Sequence, residues 1–390
     1  MGLLDQADLG ERISRLAIID RASASPGEAE AARIIAGELR EAGARVSVEE
    51  ESAHGTYWWP VGLLTGLAAA AGLRSPRPVA ALCGLSAAAA VADDITGGEQ
   101  WFRRRFLPSR TTINVVAEFG RKDAARTVLV TAHHDAAHSG LVFHPELPRA
   151  IFRRFPNLAE HSDTTPGTMW GAVGGPLLVA AGAALGLRAV RRAGAFVSAG
   201  YVAAMADIGL RSVVPGANDN LTGVAVLLSL ARSLREEPLS DVRVILLSTG
   251  SEESFMEGMQ AYGRRHFASL DPQSTQVICI DTVGSPRLLA LEGEGMVWMN
   301  EYPKDLLARV KAEADALGIE LVPNLRLRNA TDGLIAHRAG YETVVIGSVD
   351  ELKLPSNYHW PSDTADNVDL STVYDCTRLV DRLVRASPPS

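Results

Sequence analysis

Apolar runs that stop abruptly at a histidine or an acid recur along this chain, and they restrict its folding more than any other feature. Thr127 to Ala132 runs straight into His133-His134-Asp135. Val242 to Leu247 leads to Gly250-Ser251-Glu252-Glu253, and Gln276 to Ile280 ends at Asp281-Thr282-Val283-Gly284. Gly216-Ala217-Asn218-Asp219-Asn220 and Tyr358-His359-Trp360 carry the same residue types close to other strand-like stretches. Short, continuously apolar runs suit strands buried on both faces, as in a parallel sheet. Ligands gather outside the carboxyl ends of such strands, so these polar groups should meet at one sheet edge.

Helical patterns separate the strands. Ser25-Pro26-Gly27-Glu28 reads as a helix start, with a capping serine, proline in the first turn and glutamate three residues after the cap. Ala32, Ile35, Ala36 and Leu39 then share a face, and Gly43 stops the helix. Arg45 to Glu50 alternates like an edge strand, with Thr112 to Phe119 as its partner. Leu221, Val224, Ala225, Leu228 and Ala231 recur at helical spacing. Further helices are expected near Met256–Phe267, over Leu306–Leu317 and over Asp369–Val384, with strands near Glu320 and over Thr343–Ile346. The fold class is therefore α/β, a mostly parallel mixed sheet with helices on both faces.

A net charge of −8 over 390 residues argues against nucleic acid as a partner, since phosphate binding needs a basic surface. Cys83, Cys279 and Cys376 are odd in number, far apart and in apolar surroundings, so they read as buried thiols rather than a disulfide framework. The first eight residues lack the basic start and apolar core of a secretory signal.

Two stretches, 56–105 and 141–211, break the strand–helix rhythm. The first holds Trp58–Leu73 and Pro78–Ala92 around Arg74-Ser75-Pro76-Arg77; the second holds Met169–Leu187 and Ala193–Leu210 around Arg188-Ala189-Val190-Arg191-Arg192. Each reads as an apolar helical hairpin. A membrane span needs about 17–25 apolar residues, which the second pair meets and the first pair approaches. Segment 169–187 carries no charge, and Trp58, Trp59, Trp101 and Trp170 lie where an interfacial belt would be. The expectation is membrane association through 58–92 and 169–210, multi-pass, with the strand-and-helix domain on the cytoplasmic side. The alternative is a soluble, cytoplasmic protein whose four helices form a cap.

Imidazole nitrogen and carboxylate oxygen are the donors of catalytic zinc, and a paired site needs about six such groups plus a free base. His133 and Asp135 lie two apart at a strand end and point the same way, while His134 points oppositely, so His133 is the better ligand. His134 and His138 read as pocket lining or loop. Asp219 could alternatively cap the following helix, although Asn218 or Asn220 would serve equally well there. Adjacent Glu252 and Glu253 repel each other, so burial of the pair demands a cation or a proton.

The order and wording of the motifs resemble family 28 of the metallopeptidases, the dizinc exopeptidases of aminopeptidase Y and bacterial leucyl aminopeptidases. The resemblance covers 7–55, 111–140 and 212–386. It implies one zinc-peptidase domain over 1–390 with insertions at 56–105 and 141–211. It also implies two zinc ions held by His133, Asp219, Glu253, Asp281 and His359, with Asp219 bridging. Glu252 would be the general base, and Asp135 would stand behind the ligands as a supporting catalytic carboxylate. The activity implied is exopeptidase, most simply aminopeptidase, hydrolysing peptide or amino-acyl amide bonds with zinc-activated water. A glutaminyl cyclase-like acyltransferase on the same fold would work with one zinc, and a membrane-bound binding module would have lost a ligand or the base. Two departures stand out. About eighty residues separate Asp135 from Asp219 where the family has a short loop, and Gly333 stands where the family often has histidine.

Overall fold

The computed structural model describes residues 2–155 and 163–386; part of the second insertion, 156–162, lies outside them. The amino-terminal third contains α1 (Gln6–Ala17), α2 (Pro26–Glu41), β1 (Arg45–Ala53), α3 (Trp58–Arg74), α4 (Arg77–Ile95), α5 (Trp101–Phe106), β2 (Arg110–Phe119) and β3 (Arg126–His133). Next come α6 (Glu146–Arg154), α7 (Trp170–Leu185), α8 (Arg188–Leu210), α9 (Thr222–Glu236), β4 (Val242–Thr249), α10 (Glu257–His266) and β5 (Thr275–Ile280). The chain continues with β6 (Arg287–Ala290), β7 (Gly293–Glu294), β8 (Asn300–Glu301), α11 (Lys304–Leu317), β9 (Arg326–Leu327), α12 (Asp332–Arg338), β10 (Glu342–Val349) and α13 (Leu370–Arg385).

Seven strands form one mixed sheet in the order β1-β2-β4-β3-β5-β10-β6, and β8-β7-β9 form a small second sheet. The four central strands, β4, β3, β5 and β10, are parallel. Their side chains alternate between two cores. Val128, Val130, Leu246 and Ile278 face the layer built by α1, α2, α9, α11 and α13. Leu129, Ile245, Leu247 and Val277 face Met259 and Tyr262 of α10 and Ala336 of α12. Burial on both faces explains why these strands are apolar without alternation.

The register brings the motif ends level. His133 pairs with Thr249, and Thr131 with Cys279, so Asp281 continues level with His133. As expected, β1 pairs with β2 in antiparallel register. Some details differ from the sequence reading. The region near Glu320 makes one isolated bridge, Val322 to Leu289, and no strand. The small second sheet carried no periodic signal, whereas α1, not anticipated from the sequence, buries Leu9, Ile13 and Leu16 at helical spacing and is capped by Asp5, whose side chain accepts from the Asp8 amide.

The apolar stretches form two helical hairpins, α3–α4 and α7–α8, and the four helices pack into one bundle. The basic run Arg188–Arg192 is the first turn and a half of α8 rather than the loop; the turn itself falls on Gly186, at φ +75°, and Leu187. Close backbone approach depends on small residues. A Cβ at Gly84 would lie 2.7 Å from the Pro176 carbonyl oxygen, and one at Gly194 would lie 2.6 Å from that of Gly175. At the far end, Arg77 donates to the carbonyls of Ala183 and Ala184, and Arg191 donates to that of Ser75, so each hairpin closes the other.

Candidate metal centre

The polar ends of β3, β4 and β5 meet the loop before α9 and the His359 loop in one buried cluster. Asp219 is its middle. One carboxylate oxygen lies 3.2 Å from His133 Nε2 and the other 3.2 Å from His359 Nε2. His359 Nε2 is also 3.1 Å from a Glu253 oxygen. Donor atoms of His133, Asp219 and Glu253 all fall within 4.8 Å of one another, the spacing of a shared cation. Asp281 stands beside Asp219, its own oxygen accepting from Thr282 Oγ1 at 2.6 Å. Burial and the like charge of Asp219 hold its carboxyl above the ordinary range.

Capping duties go elsewhere, which frees Asp219. The Asn220 side-chain oxygen accepts from the Gly223 and Thr282 amides, both at 3.1 Å. Asp219's backbone is in turn clamped by Asp363, which accepts from the Asn218 amide at 2.7 Å and from the Asp219 amide at 3.1 Å. Arg21, fully buried, donates to the carbonyls of His134, Pro215 and Gly216 and so ties the same loop to the end of β3.

Asp135 sits behind the cluster, fully buried. It accepts from Ser23 Oγ at 2.6 Å and from the amides of Glu252 and Glu253, each at 3.1 Å, and it lies 3.3 Å from His133 Nδ1. It therefore positions the two glutamates and one imidazole and does not face the cavity. Glu252 does line the cavity, with an oxygen 4.0 Å from His133 Nε2. Burial, with the negative charge of Asp281 and Glu253, pushes the Glu252 carboxyl well up. Glu28 accepts from Ser251's amide and hydroxyl while also holding the Ala24 and Ile113 amides. The glutamate read as a helix cap thus supports the Glu252 loop from β2 and α2.

The remaining histidines divide as strand alternation implies. His134 points away from the cluster onto Ser248 Oγ at 2.9 Å, and burial pushes its pKa down to about 3. His138 packs at a tilt against Trp58, ring centres 4.5 Å apart, and meets the Arg211 carbonyl at 2.7 Å, joining the main sheet to the bundle.

The charges in this cluster fit a bound cation. Burial pushes Glu253 up to about 7. Burial opposes charging of His359, yet Glu253 and Asp219 hold it at about 10. Several carboxylates buried so close together repel one another, and a divalent cation is the general remedy. Glu253 Oε1 is buried without a hydrogen-bond partner among the described residues. The nitrogen and oxygen donors present are those zinc takes in catalytic sites.

Over this cluster opens a cavity of about 650 Å³. Glu252, Glu253 and His359 form its floor, while Val142, Phe143, Pro145, Ile151, Phe152 and Met169 of the second insertion form an apolar wall. Phe143 stands edge-on to the His359 ring at 4.6 Å, and Tyr358 stacks on it at 3.8 Å. The support from Asp363, Arg21 and Glu28 and the wall from Phe143 were not evident in the sequence, because they converge from distant segments.

Comparison with solved structures places this architecture among zinc exopeptidases. The chain resembles a Zn-dependent exopeptidase from Parabacteroides distasonis, at TM-score 0.58, 12% identity and coverage of 99% of this chain and 100% of that one. It also resembles BSAP, a zinc aminopeptidase from Bacillus subtilis, at 0.57, 15%, 99% and 98%. A glutaminyl cyclase from Bacteroides thetaiotaomicron gives 0.59, 14%, 99% and 99%. The chain therefore has the zinc-exopeptidase fold. Residues 198–384 match the family model of peptidase family M28. No curated protein matches the sequence.

Proposed function

We propose that the protein is a zinc aminopeptidase that works with two zinc ions. The observation that carries this reading is the two-sided position of Asp219, with one oxygen toward His133 and the other toward His359 and Glu253. His133, Asp219 and Asp281 would hold one ion, and His359, Glu253 and Asp219 the other. Zinc held there supplies Lewis acidity to the scissile carbonyl and the attacking water. Glu252 takes the proton from that water and returns it to the leaving nitrogen, a role suited to a carboxylate whose pKa burial has raised. Asp135 keeps Glu252 and Glu253 in place through their backbone amides. Zinc analysis and amino-acyl amide hydrolysis test the proposal together. Two equivalents of zinc with chelator-sensitive release of the amino-terminal residue is the expected result. One equivalent, with cyclisation of glutaminyl peptides and ammonia release, would favour a cyclase instead.

We further propose that the four-helix bundle lies in a membrane, with the catalytic domain on the cytoplasmic side. A soluble cap would turn polar side chains outward. Here Leu82 is 66% and Phe196 68% exposed, and Leu63, Leu67, Leu85, Leu177 and Leu185 also face outward. At 1.5 Å per residue the helices span about 24–35 Å, against a hydrocarbon thickness of about 30 Å. Arg77–Ile95 and Arg188–Leu210 are each long and apolar enough to cross it. Trp59, Trp101 and Trp170 are exposed at the end nearest the catalytic domain, where an interfacial belt belongs. Both hairpins return to the side they left. The β1 strand, which precedes them, is part of the catalytic sheet, so it stays on that side too. Full recovery in the soluble fraction without detergent would overturn this reading.

A further inference from the structure

One basic residue in the cavity wall lacks the partner that its neighbours have. Arg326, in β9, is matched by Glu301, Glu292 and Asp163. Arg149, also on the cavity, pairs with Glu146 at 3.1 Å. Arg328 lines the cavity yet has no carboxylate at ion-pair distance among the described residues. Among the described residues its Nε is buried without a hydrogen-bond partner, and so is the side-chain oxygen of the adjacent Asn329, which lines the same wall. The guanidinium lies 5.0 Å from the centre of the Trp170 ring. Trp170 opens α7 and is itself fixed by donating from its indole to the Met296 carbonyl at 2.9 Å. The Arg328 amide is held by Thr165 Oγ1 at 2.8 Å.

A guanidinium with no carboxylate partner on a largely apolar wall gains a charge-assisted pair from an incoming anion. Stacking on an aromatic face orients a guanidinium and leaves its in-plane donors free for a planar acceptor. Asn329 adds an acceptor for an N–H beside it. We propose that Arg328 is a specificity-determining residue that binds a carboxylate of the substrate, with Asn329 taking a neighbouring amide N–H and the apolar wall of the second insertion covering the rest. The proposal rests on the peptidase reading of the site. It makes the substrates short peptides or amino-acyl amides that are acidic and otherwise apolar. The second insertion supplies Trp170 and Thr165, so it builds the subsite as well as the bundle.

Two matched substrate pairs separate the sources of the carboxylate. Leucyl-alanine against leucyl-alaninamide tests a terminal carboxylate. Leucyl-glutamic acid amide against leucyl-glutaminamide tests a side-chain one. A hydrogen-bonded charge pair corresponds to roughly tenfold or more in kcat/KM. Wild-type enzyme should prefer the acidic member of one pair by that factor, chiefly through KM. Arg328→Ala should bring the ratio close to one, and Arg328→Lys should restore part of it. A wild-type ratio near one in both pairs, or a preference that survives Arg328→Ala, overturns the proposal. Calorimetry with octanoate and octanamide on the zinc-loaded protein needs no turnover. Octanoate should bind more tightly and lose about tenfold in affinity in Arg328→Ala. Unchanged octanoate binding in that variant would place the carboxylate on the metal instead and refute the subsite. Loss of all hydrolysis with intact Arg328-dependent octanoate binding would instead count against the peptidase reading alone.

Discussion

Asp135→Asn is the most informative single change, because it keeps the shape of the side chain and alters only its hydrogen-bonding character. The Asp135 carboxylate accepts three hydrogen bonds, from Ser23 Oγ and from the amides of Glu252 and Glu253, and no water reaches it. Its two amide donors approach different oxygens, Glu252 at Oδ1 and Glu253 at Oδ2. An asparagine offers one acceptor oxygen and one NH2, so in either orientation a donor faces a buried backbone N–H. An orphaned buried donor costs about 1–3 kcal/mol, and the surviving bonds each lose about 1 kcal/mol of charge assistance. With two bonds surviving, the sum is a destabilisation of about 3–5 kcal/mol. The loop bearing Glu253 shifts with it, and outer-sphere partners of this kind are worth roughly 10–100-fold in metal affinity. Chelator competition for zinc and denaturant unfolding of the metal-free protein measure the two effects separately. An Asp135→Asn protein that unfolds within about 0.5 kcal/mol of wild type and retains its zinc affinity would refute the supporting role of this carboxylate.

Glu252→Gln should retain zinc and fold but lose roughly 10²–10⁴-fold or more in turnover, whereas Glu253→Gln should weaken zinc binding; the reverse pattern would exchange the two roles. His359→Ala should remove about one equivalent of zinc, read by metal analysis of the purified protein. Gly84→Leu places a branched side chain where a Cβ already comes within 2.7 Å of the Pro176 carbonyl, so it should lower the thermal midpoint through about 1–3 kcal/mol of overpacking. Leu82→Lys and Phe196→Lys put charge on the outward face of the bundle, and release of the double variant from the membrane fraction would be measured by fractionation.

Local patterning along the chain was enough to set out the sheet except its edge strand β6, which the sequence reading did not place. Its central strands are buried on both faces, so they must be continuously apolar, and that is a local signal; β3, β4, β5 and β10 fall where their apolar runs lie. The same patterning marked the polar residues at the strand ends, because a histidine or acid closing an apolar run contradicts burial unless it has a task. Alternation along β3 separated His133 from His134 for the same local reason. How distant groups complete one another is legible only in the folded chain. Asp363 holds Asp219 from 144 residues away, and Glu28 holds Ser251 from 223. Such contacts leave no period in the sequence, since each is a single polar side chain aimed across the fold. The short strands β7, β8 and β9 were equally illegible, two residues each being too few for any pattern. The wall that Phe143 makes over His359 and the seat that Trp170 makes under Arg328 depend on where the second insertion folds back, and chain order does not carry that information.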